Sequence, residues 1–154
     1  NFLLDDEDNL VILDFGCVKA YSDPAFPDGI LRILIACWED DDDGAAEIYR
    51  DLGFGRGEAD PSVFNPGMIR EYHEIVLRPF IYDEIFDLGS WGVREELKKW
   101  VWQNPSFLKL VPPADLVLYL RVLSGIKGLM YKLDAKLNLY PLARATAVRR
   151  GLLR

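Results

Sequence analysis

Asn1 and Asp14 are the pair of residues whose types and spacing could do chemistry together. Two short apolar runs lie between them, Phe2–Leu4 and Leu10–Leu13, separated by the acidic stretch Asp5–Asn9. That pattern predicts a β-hairpin, and a hairpin would bring positions 1 and 14 to one end of a ribbon. An amide oxygen and a carboxylate are hard ligands of the kind Mg2+ takes in near-octahedral geometry. A tight ribbon would fix their separation better than two independent loops. Phe15 would anchor the following turn in the core, and Gly16 lets the chain bend directly after the carboxylate.

The order Asn1, hairpin, Asp14-Phe15-Gly16 resembles the metal-binding segment of protein-kinase-like enzymes. There a catalytic-loop Asn and the Asp of D-F-G hold Mg2+ against the nucleotide phosphates. Residues Leu13–Lys19, L-D-F-G-C-V-K, look more narrowly like the UbiB/AarF (ADCK) family of atypical kinases. Two further stretches are similar to that family. One is Leu110-Val111-Pro112-Pro113 before a long helix carrying Leu120, Gly125 and Gly128. The other is the turn Phe86-Asp87-Leu88-Gly89. The resemblance covers nearly the whole chain, and its first segment is the specific one.

The resemblance implies the C-terminal lobe of a protein-kinase-like fold using ATP and Mg2+. Asn1 and Asp14 would be metal ligands, Asp14 the catalytic residue of this segment, and Phe15 and Gly16 part of the nucleotide site. It implies an ATP-dependent kinase or ATPase supporting ubiquinone biosynthesis or lipid homeostasis. The location would be cytoplasmic or peripheral membrane, mitochondrial or plastid in a eukaryote. The family's catalytic-loop Asp, its Gly- or Ala-rich loop, phosphate-binding Lys and K-x-G-Q motif have no counterpart here. The first residue is not Met and the chain opens in an apolar run, so it reads as a fragment. Its expected partner is a missing N-terminal lobe, and alone it is expected to be inactive. Two alternatives stay open: a kinase-like phosphotransferase acting on a small molecule such as an aminoglycoside or choline, and a pseudokinase-like helical scaffold binding partners or lipid.

The rest of the sequence supplies the elements that must position such a site. Half of the 154 residues are hydrophobic and the net charge is −7, the balance of one ordinary globular domain. The charge is uneven. Residues 1–100 hold 23 acids and 9 bases, and residues 101–154 hold 2 acids and 9 bases. The acidic part argues against nucleic acid as a partner. The basic end, with Arg144, Arg149, Arg150 and Arg154, suits a solvated terminal helix or contact with an anionic membrane surface.

Helical periodicity begins near residue 28 with Ile30, Leu31, Leu34, Ile35 and Trp38 on one stripe. A helix over about 44–52 would close on Gly53. A longer one over about 66–82 would be kinked or ended early by Pro79. Trp91–Gln103 is amphipathic. Ala114–Leu139 reads as one long helix whose stripe from Leu116 to Leu137 forms core, and Tyr140-Pro141 breaks it before a short basic helix. The expected fold is mainly α with a short N-terminal β-hairpin. It divides into a metal-binding hairpin (1–16), a helical subdomain (26–110) and a C-terminal helical extension (111–154).

Other residues carry weaker signals. His73 reads as a partly exposed helix residue. Cys17 and Cys37 lie in no CxxC or Cys/His cluster along the sequence, which argues against zinc, and Cys17 suits packing in a crowded turn. Asp40–Asp43 lacks the spacing of a calcium loop and reads as a solvated helix junction. Trp91, Trp100 and Trp102 suit burial against a neighbouring helix better than a membrane-facing patch.

Overall fold

The computed structural model describes residues 2–13, 20–21, 24–55 and 65–154. Among these the protein is mainly helical, with a short antiparallel hairpin at its N-terminal end. The hairpin pairs β1 (Phe2–Leu4) with β2 (Leu10–Ile12). Helices α1 (Ala25–Trp38), α2 (Asp42–Asp51) and α3 (Pro66–Val76) follow. Then come α4 (Arg78–Ile81), α5 (Val93–Gln103), a 3-10 turn over Pro105–Lys109, α6 (Ala114–Lys132) and α7 (Tyr140–Arg149).

Local chemistry explains the boundaries. The α1 end is closed by Asp40 in the left-handed region (φ 55°), with the Asp41 amide donating back to the Ala36 carbonyl at 2.9 Å. The Asp41 carboxylate then accepts from the Gly44 amide at 2.9 Å and caps α2, satisfying one of the orphan donors of the first turn. The Asp40–Asp43 run is thus a helix junction, as its spacing suggested. Gly53 ends α2 with φ 86°, the conformation glycine adopts at least cost. Asn65 caps α3 and Pro66 occupies its first turn. Pro79 does interrupt the stretch expected over 66–82: α3 stops at Val76, and α4 restarts with Pro79 in its first turn.

The core sits where α1, α2 and α3 meet. Ala36, Ala45, Ala46, Phe54 and Ile69 form its buried centre, with Ile48, Leu52, Leu110 and Leu116 packed around them. Three alanines at the α1–α2 contact let the two helices approach closely. An aromatic cluster extends the core toward α5: Trp100 and Phe107 meet edge-on at 4.9 Å between centroids, and Tyr72 packs on both.

Two expectations are corrected in the C-terminal part. The long helix ends at Lys132, not at Leu139. Asp134 turns left-handed (φ 49°), and the Ala135 amide closes on the Met130 carbonyl at 3.0 Å. The chain then enters β4 (Lys136–Leu137), which pairs antiparallel with β3 (Phe86–Asp87). Beyond residue 60 these two-residue ladders are the strand structure among the described residues. The α6 stripe, expected to be core, has no fully buried member. Leu116 does reach the core cluster, and Tyr119 meets Phe26 edge-on at 6.0 Å. Leu120, Leu123 and Ile126 are exposed, because no other described element covers that side of the helix.

Candidate functional site

The hairpin turn is closed by the backbone and by one side chain: the Asp5 amide donates to the Asn9 carbonyl and the Asp8 amide to the Asp5 carbonyl, both at 3.1 Å. The Asp5 carboxylate accepts from the amides of Glu7 (2.9 Å) and Asn9 (2.8 Å) and from the Asn9 side-chain amide (3.1 Å). Donors from Asn9 and Glu7 hold that carboxyl below its usual pKa, since bonds to the ionised form favour it. Asp8 takes φ 63° at the tip, a conformation Asp tolerates better than most residues. The resulting register is Phe2 opposite Ile12, Leu3 opposite Val11 and Leu4 opposite Leu10. Asn1, Asp14, Phe15, Gly16 and Cys17 lie outside the described residues. Their sequence neighbours Phe2 and Leu13 sit at the same open end of the ribbon, away from the acidic tip.

The donor types at Asn1 and Asp14, one amide oxygen and one carboxylate, fit a hard divalent cation such as Mg2+. Among the described residues, no group of three or more His, Cys, Asp or Glu side chains is arranged to hold a metal. Every residue of the two strands, and Leu13 after them, is exposed. Apolar side chains alternate onto both faces of the ribbon, the pattern of strands covered on each side.

The Phe86–Gly89 turn is fastened to the segment after α6. The Leu88 amide donates to the Ala135 carbonyl at 3.0 Å, and the Asp87 carboxylate accepts from the Ser90 amide at 3.0 Å. A Cβ on Gly89 would meet the Asp134 carboxylate at 2.6 Å, so a larger residue there would make that exposed side chain move aside.

A second cluster is one that sequence reasoning missed. His73 is buried, 3% exposed, and not partly exposed as its place mid-helix suggested. Its Nδ1 lies 3.1 Å from Cys37 Sγ, and its Nε2 lies 2.9 Å from Tyr49 Oη. Three helices thereby converge: Cys37 from α1, Tyr49 from α2 and His73 from α3. Cys37, which belongs to no Cys/His cluster along the sequence, belongs to one in space. Burial pushes His73 down to about 4, opposed by Asp42. Burial, with Asp42 and Glu74 adding, pushes the Cys37 thiol up to about 12, and burial raises Tyr49 well above its ordinary value. All three are therefore neutral at pH 7. Two proton patterns satisfy the chain: thiol to imidazole to phenol, or the reverse. A neutral, half-buried thiol is a poor nucleophile, so the cluster is suited to locking helices together. The signal in the sequence was weak, since 36 residues separate Cys37 from His73.

The tryptophans divide. Trp100 is buried and donates to Glu71 at 2.8 Å. Trp91 is half-buried beneath the Lys127 ammonium, 5.5 Å above its ring. Trp102 is 80% exposed, contrary to the burial expected of all three. The basic end is likewise not simply solvated. Arg150 reaches Asp28 at 2.7–2.8 Å, and the Arg144 guanidinium stacks over Trp38. The helix α7 rests on α1 and α4 through buried Ala143 and Ala147.

Comparison with protein-family models, curated proteins and solved structures finds no match to this chain. Among the described residues, no helix is long and apolar enough to cross a membrane.

Proposed function

We propose that this chain is the C-terminal-lobe part of an ATP-dependent, protein-kinase-like enzyme of the UbiB type, with Mg2+ held by Asn1 and Asp14. The observation that carries the reading is the hairpin register. With Phe2 opposite Ile12, the residues adjoining the amide and the carboxylate share one end of a ribbon whose far end is pinned by Asp5. A helical body follows directly in sequence, which is the order such a lobe requires.

In this reading Asn1 and Asp14 orient the cation, and the bound Mg2+ supplies charge neutralisation to the nucleotide phosphates. Phe15 anchors the turn that presents Asp14. The apolar faces of the ribbon pack against the nucleotide-clamping lobe, which also brings the catalytic-loop Asp. A role in ubiquinone biosynthesis or lipid homeostasis, at a peripheral membrane location, belongs to the same proposal.

ATP hydrolysis by the full-length protein tests it, wild type against Asp14→Asn. The substitution keeps the shape of the side chain and removes its charge. Loss of about a hundredfold or more in turnover is the expected result. Undiminished hydrolysis overturns the metal assignment.

A further inference from the structure

We draw no further inference here: the strongest candidate, the apolar cavity of about 30 Å³ between α2, α3 and the 3-10 turn, is lined by Phe54 and Met68 on either side of residues 56–64 in the chain, which lie outside the described residues, so nothing in the structure shows what fills it.

Discussion

Cys37 Sγ and His73 Nδ1 lie 3.1 Å apart, and the imidazole passes the contact on to Tyr49 Oη at 2.9 Å. One neutral chain of polar atoms thus joins α1, α2 and α3 at their common core.

Stability should fall on acidification because of His73. Its folded-state pKa is depressed from 6.5 to about 4, so the unfolded chain binds a proton more readily. The contribution is fully present above pH 6.5 and is lost as the pH falls through about 4. At 1.36 kcal/mol per pKa unit the full effect is about 3 kcal/mol. Urea unfolding from pH 7 to pH 4, wild type against His73→Gln, should show the variant with the shallower dependence. Parallel pH profiles would contradict the assignment.

The Cys37 thiol should behave oppositely. Its folded-state pKa is raised from 9.0 to about 12, so its contribution is present below pH 9 and is lost between pH 9 and 12. At pH 8 the thiolate is scarce, and alkylation of Cys37 in the native protein should be slower than in urea by about a hundredfold or more. Mass spectrometry of iodoacetamide-treated protein resolves the site. Equal rates in both conditions would show an open thiol.

Trp100 separates packing from hydrogen bonding. Trp100→Phe keeps a ring against Tyr72 and Phe107 but removes the Nε1–Glu71 bond, and should cost about 1–2 kcal/mol. Trp100→Ala leaves a cavity in the same cluster and should cost about 3–5 kcal/mol. Denaturant midpoints measure both, and equal losses would mean that the ring contributes nothing beyond its hydrogen bond.

The fastening of α7 to α1 should be modest and salt-sensitive. The Arg150 side chain is half-exposed, and Asp28 is the more buried partner. A double-mutant cycle with Arg150→Ala and Asp28→Ala should give a coupling of about 0.5–1 kcal/mol, reduced in 1 M salt. A coupling insensitive to salt would place the interaction elsewhere.

Asp5→Ala should loosen the hairpin without unfolding the helices. The Glu7 and Asn9 amides lose their acceptor, so their hydrogen exchange, and that of the β1–β2 ladder, should accelerate. Exchange in α1 and α3 should be unchanged. If the ladder stays protected, Asp5 is not what pins the register.

Sequence by itself determined the elements whose causes are local. The hairpin follows from two short apolar runs around an acidic turn. The α3–α4 break follows from Pro79, and the α2 end from Gly53. The proposed nucleotide site rests on the order of residues along the chain alone, since Asn1 and Asp14 lie outside the described residues. Only the tertiary structure decided what depends on distant partners. Cys37 and His73 became neighbours because the alanines of α1 and α2 let those helices close on α3. The end of α6 was hidden because an aspartate, Asp134, takes the left-handed turn that a glycine would have signalled. The exposure of the α6 stripe was hidden for a related reason. Periodicity shows that a helix has an apolar face, but burial depends on whether another element reaches it.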